Sequence, residues 1–188
     1  TNVLDNEGAP SFSVDDVSIS EGGLMTFTVS RVGDAQASQT VDFATAVSGT
    51  ASASDFTPAS GTLTFTQGVS SQTFTVQTTQ DTVYEGSEDF GVVLSNATGG
   101  ATLGDANGVG TIIDDGTGPV PGGGPSDDDR STLSVTAPAA AVEGTEFLFD
   151  VNLSNLKASA TTVTLSLSGD VDASDYSAYE YNDGSGSG

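Results

Sequence analysis

The feature that most limits what this chain can become is a period-two alternation of apolar and polar residues. It runs from Ser11 to Ile113, with no stretch of helical periodicity. Met25, Phe27 and Val29 alternate with Thr26, Thr28 and Ser30, and Val41 and Phe43 with Asp42 and Ala44. Leu63 and Phe65 alternate with Thr62, Thr64 and Thr66. The same rule covers Phe74 and Val76, then Phe90, Val92 and Leu94, and last Val109, Thr111 and Ile113. A strand sends successive side chains to opposite faces, which leaves each run one apolar face to bury and one polar face for water. With an opening strand near Phe12–Ile19, seven short strands are predicted, separated by Gly, Ser, Asn and Asp turns. Seven strands in about 105 residues fit an all-β fold, a seven-stranded antiparallel immunoglobulin-like sandwich.

Composition narrows the chemistry. Apolar residues make up 35% of the 188 and glycine occurs 24 times, which suits a thin two-sheet protein with many turns. Only 3 Lys and Arg stand against 26 Asp and Glu, a net charge of -23. Such a surface repels nucleic acid and anionic lipid, and no apolar run approaches the ~20 residues that span a bilayer. Neither nucleic acid nor membrane insertion is therefore expected. Cysteine, histidine and tryptophan are absent, which removes disulfides, histidine-based catalysis and ordinary zinc sites. Paired carboxylates invite a glycosidase reading, but a chain without tryptophan platforms for sugar is not expected to be an enzyme.

The carboxylates cluster where strands give way to loops: Ser20-Glu21-Gly22, Ser54-Asp55-Phe56, Asp81 to Glu88, and Ile112 to Asp115. Loop carboxylates converging at one end of a sandwich repel one another unless a cation lies between them. Hard oxygen donors without histidine or cysteine point to Ca²⁺. Asp15, Asp16, Asp34 and Asp105 read instead as turn-formers.

Residues 117–130 are of different material, rich in Pro, Gly and Asp, and read as a linker. Beyond it the pattern returns. Val142-Glu143-Gly144 repeats Ser20-Glu21-Gly22, and Phe149-x-Val151 repeats Phe27-x-Val29, both at an offset of 122. Ala173 to Tyr176 matches Ala53 to Phe56 at 120, and Val3 to Asn6 resembles Ile112 to Asp115. The expected plan is the tail of a preceding repeat and junction (1–9), a full domain (10–116), the linker (117–130) and the N-terminal half of a second, partial β-sandwich (131–188). A half-sandwich has open edges, and truncation or a split domain would each account for it. Such a segment is expected to lean on the first domain, to pair with a neighbouring molecule, or to be poorly ordered.

Four pieces in order, at domain spacing, make the chain resemble the Calx-β family. They are Ser20-Glu21-Gly22; Gly49-Thr50-Ala51 leading to Asp55-Phe56; Asp81, Glu85, Glu88 and Phe90; and the closing Ile112 to Asp115. The resemblance covers about Pro10–Gly116 closely and Ser131–Tyr181 in part. It implies a sandwich holding Ca²⁺ in loops at one end. The ligands it implies are Glu21, Asp55, Asp81, Glu85, Asp114 and Asp115, with the carbonyl of Val83; Glu88 falls on a further acidic position. Gln80 stands where calcium-rich members carry another aspartate, which implies fewer ions or weaker binding.

Together these features predict a calcium-binding structural extender of a secreted or cell-surface adhesin, with neighbouring repeats of the same chain as partners. A calcium-sensing regulatory module and an accessory domain of a secreted hydrolase are the rival expectations.

Overall fold

The computed structural model describes residues 8–114, 130–137, 142, 145, 148–154, 156–157 and 160–164. The described residues contain strands and turns but no helix. A four-stranded sheet has the order β6 (Ser71–Gln77), β3 (Leu24–Val32), β1 (Ser11–Val14), β9 (Thr102–Asp105). Facing it is a five-stranded sheet in the order β2 (Val17–Ser20), β10 (Asn107–Asp114), β8 (Gly86–Ser95), β4 (Gln39–Ala46), β5 (Ser60–Phe65). A two-residue strand, β7 (Val83–Tyr84), lies in the loop before β8. Residues 8–114 thus form a two-sheet sandwich.

The described sandwich has more than the seven expected strands, since the short β7 and β9 were not anticipated, and it departs from expectation in three further ways. The single opening strand divides into β1 and β2, one in each sheet, because Asp15 and Asp16 interrupt it. Asp15 Oδ1 accepts the Thr28 amide at 2.7 Å in one sheet, and Asp16 Oδ1 accepts the Val109 amide at 2.8 Å in the other. The division makes two pairings parallel, β1 with β9 and β2 with β10, where an antiparallel sandwich was expected. The third difference is the face of β10. Val109, Thr111 and Ile113 were read as its apolar face, yet Gly108, Gly110, Ile112 and Asp114 are the buried set and Val109 is 41% exposed. The cause is steric. A Cβ on Gly110 would lie 2.5 Å from the Phe90 ring and 2.8 Å from Met25 sulfur, so only glycine admits those side chains.

Elsewhere the alternation lands as read. Met25, Phe27, Val29, Val41, Phe65, Phe74, Val76, Phe90, Val92 and Leu94 are buried between the sheets. Aromatic rings form the spine of this core. Phe43 stacks on Phe74 at 3.9 Å between centroids, Phe56 on Phe90 at 4.1 Å, and Phe12 meets Phe65 at 4.8 Å. Each buried ring contributes both area and pair geometry. The far end of β3 carries Arg31, which is buried. Its guanidinium donates to Gln39 Oε1 and to the carbonyls of Ala37, Phe65 and Thr66, and it lies over the Phe65 ring.

The expected linker, apart from Arg130, and most of the expected second, partial domain lie outside the described residues. Within the part described, β11 (Leu133–Thr136) and β12 (Asp150–Leu153) form a two-stranded antiparallel ladder with both strands exposed. A further two-residue strand, β13 (Leu156–Lys157), pairs parallel with β7 of the first domain.

Candidate metal centre

The inward registers of β8 and β10 run past the aromatic core and end in carboxylates. On β8, Leu94, Val92 and Phe90 point between the sheets, and Glu88 follows in the same register. On β10, Ile112 is followed by Asp114, which is 2% exposed. Beside them the turn after β2 supplies Glu21, 5% exposed, whose amide donates to the Ile113 carbonyl at 3.1 Å. The β4–β5 loop supplies Asp55, and the loop after β6 supplies Asp81 and Glu85. Glu21, Asp55, Asp81, Glu85, Glu88 and Asp114 line one pocket, and its lining includes no Lys or Arg.

Phe56 explains why an aspartate is followed by an aromatic residue here. Its ring is buried on Phe90 and anchors the loop, which leaves the preceding Asp55 at the rim. The Asp55 carbonyl accepts the Thr79 amide at 2.8 Å, tying this loop to the one that leads to Asp81. Asp81 Oδ1 in turn accepts the Val83 amide at 2.8 Å, and Asp114 Oδ2 accepts the Glu85 amide. The side-chain Nε2 of Gln80 donates to Glu21 Oε1, a neutral donor set against a buried carboxylate.

Oxygen atoms of Asp55, Glu85 and Glu88 lie within 4.8 Å of one another. Crowding of this kind moves their protonation. Desolvation, then the hydrogen bond to Asp55 and the charges of Asp55, Glu85 and Asp114, push Glu88 from 4.5 up to about 7. Glu85 is raised by desolvation and then by Asp55, Asp81 and Asp114. For Asp55 burial acts upward as the largest single influence. Hydrogen bonds from the Ser52 amide, Glu88 and the Ser52 and Ser54 hydroxyls together outweigh it, and the carboxyl is lowered. Near neutral pH Glu88 is therefore partly protonated, and in that form it donates to Asp55. A cation among the same oxygens would relieve the same repulsion.

These observations bear directly on whether a metal fits. The donors are all oxygen, and two oxygens on opposite sides of a calcium ion at ~2.4 Å each lie ~4.8 Å apart. The residues present fit Ca²⁺.

Of the residues expected at the site, Glu21, Asp55, Asp81, Glu85 and Asp114 come together in the pocket. Val83 does not line it; its amide is held by Asp81, and its main chain pairs with Leu156. Asp115 lies outside the described residues. Glu88, set apart from the ligand set in the sequence, lies among the converging oxygens. Its signal was available, since it precedes Phe90, Val92 and Leu94 in strict alternation. Asp15, Asp34 and Asp105 hold turn or ladder amides away from the pocket, at Thr28, Gln36 and Asn107.

A two-sheet all-β sandwich with a loop-borne carboxylate pocket at one end defines the class of protein. The chain belongs to the Calx-beta domain family, which matches residues 4–116, more than half its length. It is similar to the apo form of the Calx CBD1 domain, with a TM-score of 0.53 and 24% identity over 56% of this chain and 97% of that one. At that identity the likeness concerns the fold alone. Similarity extends to CBD12 from CALX1.2, with a TM-score of 0.52 and 26% identity over 56% of this chain and 45% of that one. It extends also to the calcium binding domain CBD12 of CALX1.1, with a TM-score of 0.50 and 30% identity over 55% and 43%. The match spans less than half of each CBD12 chain. No curated protein matches the sequence.

Proposed function

We propose that this domain binds Ca²⁺ at its carboxylate-lined end and acts as a non-enzymatic structural extender in a secreted or cell-surface adhesin of tandem repeats. The observation that carries this reading is the pocket itself: six carboxylates on three loops and two strand ends, with no Lys or Arg among its lining residues. Asp55, Glu85 and Glu88 would hold the ion, with Glu21, Asp81 and Asp114 around them. Asp115 and the Val83 carbonyl are the additional donors that the family resemblance implies. When bound, the ion neutralises these charges and ties the loops to one another. A chain without cysteine gains from calcium the kind of staple that disulfides give other small secreted domains. Repeated motifs at an offset of 122 and the Pro/Gly/Asp linker support the tandem, extracellular setting, with adjoining repeats as the partners.

A second reading, a calcium-sensing module, is favoured by one contact. β7, immediately before Glu85, pairs with β13 of the following segment, and a change at the pocket would be felt there. Under the extender reading, small-angle scattering of the full chain shows one extended shape throughout the millimolar calcium range; a sensor changes shape within it.

The calcium proposal is tested by thermal unfolding of the full chain in Ca²⁺, Mg²⁺ and chelator. Ligand at 100 times its dissociation constant adds about 2.7 kcal/mol per site. A midpoint that rises with Ca²⁺ well above its Mg²⁺ value is expected. An unchanged midpoint overturns the proposal.

A further inference from the structure

The Gly49-Thr50-Ala51 piece of the family pattern contributes no pocket residue, yet the loop carrying it delivers Asp55. That loop, residues 47–59, has to be fixed at both ends if Asp55 is to meet Glu85 and Glu88. Its later end is held by Phe56 in the core and by Thr57, whose amide donates to the Gln77 carbonyl at 2.8 Å. The earlier end is held by one residue, Asp89. Pairing between β4 and β8 stops at Ala46 opposite Gly91, and beyond it the loop takes over the open edge of β8. There the Ala51 amide donates to the Asp89 carbonyl at 2.9 Å, and the Asp89 amide donates to Thr50 Oγ1 at 3.0 Å. The Thr50 hydroxyl donates in turn to Asp89 Oδ1 at 2.9 Å, with the Thr50 amide at 3.4 Å from the same oxygen. A Cβ on residue 49 would stand 2.1 Å from Asp89 Oδ2, which is why glycine precedes this threonine.

We infer that Asp89 and Thr50 form a positioning clamp for the metal centre, fixing the Asp55 loop against β8 without ligating the ion. Adjacent residues of one strand divide the work: Glu88 faces the pocket, and Asp89, on the opposite face, holds the loop that brings Asp55 to it. The inference rests on the calcium reading for its effect on affinity, but the clamp itself is measurable in calcium-free protein. Partners that orient metal ligands typically change affinity by about 10–100-fold when removed.

The experiment compares the full-length wild type with Thr50→Val, Thr50→Ser, Asp89→Asn and, as the ligand-loss reference, Glu88→Gln, by calorimetric titration with Ca²⁺ and by amide hydrogen exchange in chelator. Thr50→Val keeps the shape but removes the hydroxyl, and calcium binding is expected to weaken about tenfold or more. Thr50→Ser restores the hydroxyl and the affinity. Asp89→Asn keeps an acceptor oxygen without the charge and stays close to wild type. Exchange at the Ala51 amide and across Ser52–Asp55 quickens in Thr50→Val alone. Wild-type affinity in Thr50→Val, or a loss in Asp89→Asn as large as in Glu88→Gln, overturns the inference; the latter makes Asp89 a charge partner of the ion. A wild type that binds no Ca²⁺ sinks the calcium reading and the clamp's role in affinity with it. Unchanged Ala51 exchange in Thr50→Val removes the clamp whatever the calcium result.

Discussion

Replacing Glu88 by glutamine should stabilise the calcium-free protein and destabilise the calcium-bound one. Glu88 is half-buried, and desolvation, then the hydrogen bond to Asp55 and the charges of Asp55, Glu85 and Asp114, push it from 4.5 to about 7. Between those values the folded state binds more protons than the unfolded state, and stability therefore falls as pH rises through the window. At about 1.4 kcal/mol per pKa unit the ceiling is about 3.5 kcal/mol. Solvent at the pocket mouth screens these charges and reduces the figure to roughly 1–2 kcal/mol. Glutamine has no proton to lose and cannot incur that penalty. In chelator at pH 8 the variant's midpoint should exceed that of wild type by roughly 4–16 °C, taking about 4–8 °C per kcal/mol for a domain of this size. At pH 4.5 the two should nearly coincide. In saturating Ca²⁺ the order reverses, because the variant has lost a donor. Differential scanning calorimetry at both pH values, with and without calcium, measures all four quantities. A Glu88→Gln variant no more stable than wild type at pH 8 in chelator would refute the crowding argument.

Two further outcomes follow from the geometry. Phe56→Ala removes a buried ring stacked on Phe90 and should cost about 3–5 kcal/mol in denaturant unfolding, whereas Leu24→Ala, at a 54% exposed position, should be nearly neutral. Glu21→Ala and Asp115→Ala should weaken calcium binding by calorimetry. Asp34→Ala, whose carboxylate holds the Gln36 amide at 2.8 Å, should leave it unchanged; equal losses in all three would mean that net charge governs binding.

Most of the sandwich was legible because its core strands obey one rule, alternation, which seats Met25, Phe27 and Val29 and the runs from Phe74 and Phe90 inward. The rule failed where glycine carried the information. On β10 the inward positions are Gly108 and Gly110, and residues without side chains register as polar gaps in a hydrophobicity pattern. Their meaning appears only when the Phe90 ring is seen above Gly110. The break at Asp15 and Asp16 was visible as a turn signal, but its consequence was not. Which sheet each half joins depends on amides of Thr28 and Val109, distant in the chain. At the site, carboxylates on different loops could be grouped by family pattern. The same pattern gave Glu88 as a further acidic position, and extending the inward register of its strand places it in the pocket; the clamp through Asp89 shows only where β4 stops pairing.

The same alternation that builds the core also builds the pocket, and this has a consequence for how the two are coupled. Glu88 and Asp114 occupy inward positions that, one step along their strands, hold Phe90 and Ile112. The β8–β10 ladder holds their backbones side by side, since Asp114 and Gly86, and Ile112 and Glu88, are register partners. The ladder therefore limits how far these two backbones can separate. Asp55, Asp81 and Glu85 stand on loops rather than within that ladder. A cation that draws the loop carboxylates onto the two strand-borne ones would close this end of the sheet. Its binding energy would then appear largely as resistance of the β8–β10 ladder to opening. Hydrogen exchange should accordingly show calcium protecting the amides of Gly86–Glu88 and Ile112–Asp114 most, and leaving those around Arg31, at the far end of β3, unaltered. Uniform protection along both strands would instead point to a general effect of charge screening.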